Sequence, residues 1–290
     1  MHTPLNIVFF GGEPLGVTAL EVLASHGIIP ELIVCNPDRP QGRKMLLTPP
    51  PVKVWAESHS IKVFQPETLK DDATYEALKA SNADVFLVVA YGKIIPERIL
   101  NIPIHKTLNM HPSLLPKLRG PSPIRSAILH DIHPTGVSIM VLTPGMDEGP
   151  ILAQESVTIP AQDWPISGTA LDAILAKKGS ELLAKTIRAW VDGSITPQDQ
   201  KHDEASYTTK ITKEMGLIDL KDDPHINIRK IRALDGWPGT YFFHDNNGSP
   251  MRIKITKAEL EGEKLKILRV VPEGKKEMNY EAYIKSASTT

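Results

Sequence analysis

The stretch LNIVFFGGEPLGVTALEVLAS, residues 5–25, decides the fold. Its first six residues, LNIVFF, form a short apolar run, broken only by Asn6, that ends at Gly11-Gly12. Pro14 then stands near a helix start, where its fixed φ and missing N–H are tolerated, and apolar residues follow at helical spacing. Strand, tight turn and helix in that order make the first unit of an α/β sheet. The pattern repeats outward: PELIVC (30–35) as strand, PVKVWAES (51–58) as helix, IKVF (61–64) as strand and 73–81 as helix. ADVFLVVA (83–90) and IHKTLNM (104–110) are two more strands. Continuously apolar strands alternating with helices predict a parallel sheet covered on both faces. Ligands of such sheets bind at the carboxyl ends of the strands, where the strand order reverses, so the residues after Val89 and Leu108 are the first place to look for a site.

Beyond GVSIMVL (136–142) and 151–158, the spacing predicts a long amphipathic helix from about Ser167 to Val191. Residues 193–206 are polar and aperiodic and are read as a linker. A helix at 225–234 and strand-like runs at 239–244, 251–257 and 265–271 follow, the last three divided by Asn246-Asn247-Gly248 and Glu261-Gly262. The expected organisation is a first domain over 1–192, the linker 193–206 and a small β-rich domain over 207–290.

Hydrophobic residues make up 41% and charged residues 23% of the 290, enough apolar side chain for a packed core and against a disordered chain. The longest apolar stretch, Val85 to Tyr91, falls far short of a membrane span. The N-terminal apolar run has no basic region before it and breaks at Gly11, unlike a signal peptide. With a single cysteine, Cys35, and no export signal, the expected compartment is the cytoplasm, with no membrane association and a monomer as the simplest assembly. Asn247-Gly248-Ser249 then reads as turn chemistry. Net charge is −1, divided into 18 basic against 22 acidic residues over 1–206 and 15 against 12 over 207–290. The weakly basic end is compatible with touching nucleic acid. The ten histidines are scattered and form no zinc-ligand spacing, so no metal is expected.

The chemistry concentrates in LNMHPSLLP (108–116) and the Arg119-Gly120 beyond it. Asn109 and His111 stand two apart at a strand end, so their side chains share a face. A proline-rich loop follows, and TPGMDEG (143–149) downstream brings an acidic residue, Asp147, between glycines after another strand. Acyl or formyl transfer to an amine needs a donor for the oxygen that becomes anionic and groups that move the amine's proton to the leaving nitrogen. Asn109 suits the first task and His111 the second. Asp147 could orient the imidazole, stabilise its charged form or accept a proton through water. Each residue alone is equally at home as a structural hydrogen-bonder or turn former; the combination carries the reading.

At this point NMHPSLLPKLRGPSPIRSAI (109–128) and TGVSIMVLTPGMDEGPILAQ (135–154) resemble the signature of the folate-dependent formyltransferases. The resemblance implies a Rossmann-like parallel-sheet α/β domain followed by a small OB-like domain. It places the catalytic roles on Asn109, His111 and Asp147. It implies that Val89, Ala90, Tyr91, Gly92, Ser113, Leu114, Leu115, Pro116 and Gly145 cradle 10-formyltetrahydrofolate, the co-substrate. NPDRPQGRKMLLTPPPVKVWAESHSIKVFQPETL (36–69) and ADVFLVVAYGKIIP (83–96) look specifically like the methionyl-tRNA formyltransferase family. That likeness implies initiator methionyl-tRNA as partner, with the 36–53 loop entering its acceptor end through Arg39, Arg43 and Lys44. Two features depart from the family pattern. Met45, Leu46 and Leu47 stand where basic residues are common, and the chain runs from IKITKAEL through EGEK directly to LKILRVV, which leaves the C-terminal barrel incomplete. Formylation of a sugar-nucleotide amine, delivery of the formyl group to water, and a tRNA-binding protein without turnover remain the alternatives.

Overall fold

The computed structural model describes residues 5–42, 45–246 and 248–287. In chain order it contains β1 (Ile7–Gly11), α1 (Pro14–Ser25), β2 (Leu32–Val34), β3 (Arg39–Gln41), β4 (Leu46–Thr48), α2 (Pro51–Ser58), β5 (Lys62–Phe64), α3 (Asp72–Lys79) and β6 (Val85–Val89). Then come α4 (Glu97–Leu100), β7 (Thr107–His111), α5 (Pro123–Leu129), β8 (Thr135–Val141), β9 (Ile151–Val157), α6 (Gly168–Val191) and α7 (Pro224–Ala233). The chain finishes with β10 (Thr240–Asn246), β11 (Ser249–Glu261), β12 (Lys264–Pro272), β13 (Met278–Asn279) and α8 (Tyr280–Ala287). Among the described residues no helix is long and apolar enough to cross a membrane.

The chain forms two compact units. The first, Met1–Pro121 with Thr135–Val157 and Ala173–Tyr207, is built on a seven-stranded sheet of order β5-β2-β1-β6-β7-β8-β9. Strands β5 to β7 are parallel, as the sequence predicts, whereas β8 and β9 run antiparallel. All seven residues of β8 are buried, so its apolar run reports two covered faces and says nothing about direction. The nine residues between β8 and β9 are too few for the crossover that parallel neighbours need. Strand order reverses beside β1, which lies between β2 and β6. Phe10 on β1 anchors the core there, its ring 5.2 Å from that of Phe86 and 5.4 Å from that of Tyr91.

Cys35 directly follows β2 and is buried. Burial pushes its thiol up to about 11, although Lys53 pulls the other way. At about pH 8 the thiol therefore stays protonated and sealed, since the thiolate is the reactive form. Iodoacetamide is expected to leave Cys35 unmodified in the native chain and to alkylate it in guanidinium chloride; rapid native labelling would contradict this burial.

The stretch 36–53 contains a two-stranded hairpin, β3 with β4, that the sequence does not announce. Its base is fixed by Asp38, which accepts from Gln65 Nε2 at 2.7 Å and from Lys53 Nζ at 2.9 Å. The Gln65 bond and then Lys53 hold the Asp38 carboxyl below the usual range. Met45, Leu46 and Leu47 are exposed toward the tip.

The second unit comprises Ser122–Pro134, Thr158–Asp172 and Thr208–Thr290. An antiparallel sheet of order β10-β11-β12-β13 wraps a core of Ile228, Ile231, Phe242, Ile253, Val270 and Tyr283. The sheet is open, with β10 and β13 as its edges, in keeping with an incomplete barrel. Helix α8 was not anticipated from sequence; it is held by its own buried Tyr283.

Candidate active site

Asn109 and His111 lie at the carboxyl end of β7, flanked by β6 and β8. Their i, i+2 spacing puts both side chains on one face, and they are 9% and 4% exposed. Among the described residues the Asn109 carboxamide has no hydrogen-bond partner, so its amide hydrogens are available to an incoming oxygen.

His111 Nε2 lies 3.0 Å from the Leu118 carbonyl oxygen. A carbonyl only accepts, so in the neutral ring Nε2 carries the hydrogen and Nδ1 keeps a lone pair. That Nδ1 is 3.7 Å from Asp147 Oδ2. The same Oδ2 accepts from the Gly120 amide at 2.7 Å. The imidazole nitrogen left free for proton transfer is thus the one beside the carboxylate, at a spacing that a small shift closes. Asp147 has φ +49° and Ala90, just past β6, has φ +51°. Non-glycine residues rarely adopt this left-handed region, and such conformations persist only where the surroundings impose them.

The other sequence-predicted residues fall into two groups. Val89 is buried at the end of β6 and Tyr91 is turned into the core, where burial and then Cys35 push its hydroxyl up to about 12. Only backbone near Ala90, Tyr91 and Gly92 is therefore free to serve a ligand, and Tyr91 O already accepts from Asn36 Nδ2 at 3.1 Å. In the loop after β7, Ser113 is fully buried and its hydroxyl donates to Lys117 O at 2.7 Å. Leu115 is buried, while Leu114 and Pro116 are half-buried. Gly145 lies under the Glu148 carboxylate. Arg39 is exposed on β3, away from these contacts in sequence and element; Arg43 and Lys44 lie outside the described residues.

Sequence reasoning missed Ser138 and Gln154, which fasten the 113–117 loop. Ser138 Oγ donates to Ser113 O at 2.6 Å and accepts from Leu115 N at 3.0 Å. Gln154 Nε2 bonds both Ser138 Oγ, at 2.8 Å, and Leu115 O, at 2.9 Å. Gly136 makes the close approach possible: a Cβ there would lie 2.3 Å from Glu155 O and 2.6 Å from Leu114 Cδ2. Gly136→Ala is expected to destabilise the chain by about 1–3 kcal/mol through overpacking. Because Leu114 and the Glu155 backbone must move, calorimetry should show a lowered Tm; an unchanged Tm would refute the packing account.

The family described as Formyl transferase matches residues 5–187, and Formyl transferase, C-terminal domain, matches residues 210–266. A methionyl-tRNA formyltransferase of Chloroflexus aurantiacus is 42% identical over 259 residues, covering 89% of this chain and 82% of the relative. Among solved structures, a sugar N-formyltransferase from a Shewanella species superposes with a TM-score of 0.66 at 17% identity, over 90% of this chain and 100% of that one. A methionyl-tRNA formyltransferase from Clostridium thermocellum superposes with a TM-score of 0.61 at 18% identity, over 92% and 98%. At those identities the superpositions speak for the fold, and the sequence relationship speaks for the family. The chain belongs to the methionyl-tRNA formyltransferase family.

Proposed function

We propose that this chain transfers the formyl group of 10-formyltetrahydrofolate to the α-amine of methionyl-initiator tRNA, by direct attack of the amine. The observation that carries the reading is the His111 Nδ1–Asp147 Oδ2 pair at 3.7 Å, with His111 on the face of β7 that also bears the Asn109 carboxamide, unpartnered among the described residues. The folate brings the formyl carbon and departs as tetrahydrofolate. As the amine nitrogen bonds to that carbon, Asn109 donates to the oxygen that becomes negative. His111 Nδ1 takes the proton the amine sheds and returns it to the departing folate nitrogen as the old C–N bond breaks. Asp147 stabilises the imidazolium that exists between those two transfers. Each proton removed is thereby delivered, and neither a serine nor a cysteine nucleophile is needed.

The backbone around Ala90 to Gly92, the Ser113–Pro116 loop and Gly145 form the folate cradle in this reading. Residues 1–192 carry the reaction, and 207–290, beyond the 193–206 segment, carry tRNA contacts. The setting is the cytoplasm, where charged initiator tRNA is available. Incubation with 10-formyltetrahydrofolate and, in parallel, charged initiator tRNA, an amino sugar nucleotide or water decides among acceptors. Formyl-methionine should appear; formylated sugar with no formyl-methionine would overturn the tRNA assignment.

Arg39, exposed on β3, and its neighbours Arg43 and Lys44 are proposed to meet the tRNA backbone. Arg39→Ala is expected to weaken tRNA binding and to lower the slope of log K against log salt by about one, leaving folate binding unchanged. A filter-binding salt series that gives an identical slope would remove Arg39 from that surface.

A further inference from the structure

His111 and Asp147 belong to different elements, yet their contacts converge on three consecutive residues. His111 bonds to the Leu118 carbonyl and Asp147 to the Gly120 amide. Between those two stands Arg119, which is 0% exposed and heads the fully buried side chains by volume. Burying a guanidinium is unfavourable unless hydrogen bonds offset the lost water. Arg119 Nε and Nη2 both donate to Gln200 Oε1, at 3.0 and 2.7 Å. Nη1 reaches Tyr207 Oη and Nη2 reaches His202 Nδ1, each at 3.3 Å.

Gln200 is itself buried at 6% exposure. Its Nε2 donates to Asp147 O at 2.8 Å and to Gly149 O at 2.7 Å, so both amide hydrogens are used on the backbone that carries the Asp147 side chain. The contacts close a ring. It runs from the Asp147 carboxylate to Gly120, through the Arg119 side chain to Gln200, and back to the Asp147 carbonyl. Ser206 ties the same segment to the first arc, accepting from Arg119 N at 2.8 Å and, through Oγ, from Leu118 N at 2.9 Å.

We propose that Gln200, backed by Arg119, is a positioning residue that holds Asp147 in its left-handed conformation and so sets its spacing from His111. Neither side chain needs to touch substrate. Gln200 grips the carbonyls at and two residues after Asp147, which restrains the 147–148 and 149–150 peptide planes just beyond the strained φ. Arg119 in turn fixes which way the Gln200 amide faces, because only its oxygen can accept from the guanidinium.

This inference rests on the formyl-transfer reading of the site, and its test separates the two. Gln200→Ala is expected to lower kcat by about tenfold or more while KM for folate and tRNA stays within about twofold. Gln200→Glu keeps an acceptor for Arg119 but loses the donors to the loop, so it should fold and show the same kcat loss. In an Asp147→Asn background, Gln200→Ala should add less than about twofold, because its effect passes through that carboxylate. Amide hydrogen exchange gives a readout that does not depend on turnover: residues 143–150 should exchange faster in both variants while β7 keeps its protection. Wild-type kcat in a folded variant, a KM effect alone, additivity with Asp147→Asn, or failure of both variants to fold would overturn the positioning role. Unchanged exchange over 143–150 would also do so. Faster exchange in the Gln200 variants, together with a wild-type chain that transfers no formyl group, would instead reject the formyl-transfer reading.

Discussion

Asn109→Ala is expected to slow formyl transfer by about 30- to 1,000-fold, equivalent to about 2–4 kcal/mol of transition-state stabilisation. The magnitude follows from where the carboxamide sits. It is nearly buried, unpartnered among the described residues and fixed on a strand that is bonded on both sides. A donor held this way needs no reorganisation when charge develops on the formyl oxygen, which is the condition under which one hydrogen bond has its largest effect on rate. Truncation removes no hydrogen bond among the described residues, so stability should hardly change. Steady-state kinetics with calorimetry on the same preparation make the check. A near-normal kcat/KM would show that some other group binds the oxygen, and a large fall in Tm would assign Asn109 to the scaffold instead.

Asp147→Asn should cost a comparable factor for a different reason. The substitution preserves shape, and an asparagine oxygen can still accept from the Gly120 amide now bonded to Oδ2. What disappears is the negative charge 3.7 Å from His111 Nδ1. In the proposed mechanism the imidazolium left after the amine loses its proton then has no counter-charge, in a site where His111 is buried from solvent. The expected loss, about 2–4 kcal/mol, falls on kcat, with KM for both substrates changed little. Full activity of Asp147→Asn would leave Asp147 as a turn residue and nothing more.

Much of the fold was legible because local patterns and burial agree. The 5–25 stretch predicts β1, turn and α1, and the long spacing after Ser167 predicts α6. Asn109 and His111 were visible through the two-residue strand period, and Asp147 through the glycines around it and the family likeness. The direction of β8 was hidden, since covered faces look alike in parallel and antiparallel strands. Helix α8 has only eight residues, too short to announce itself without the tertiary contact of Tyr283. Gln200, Ser138 and Gln154 escaped for another reason. A polar side chain that serves backbone carbonyls leaves no periodicity, and Gln200 sits in a polar segment whose composition is indistinguishable from that of a solvated connection.

The sealed thiol of Cys35 turns the protein into a convenient optical instrument. With the chain's one native sulfhydryl protonated and out of reach, a cysteine introduced at the exposed hairpin, as in Leu46→Cys, becomes the single attachment point for a thiol-reactive dye. Fluorescence from that position would then show in real time whether tRNA arrives at the β3–β4 hairpin, as proposed, free of background from any second label.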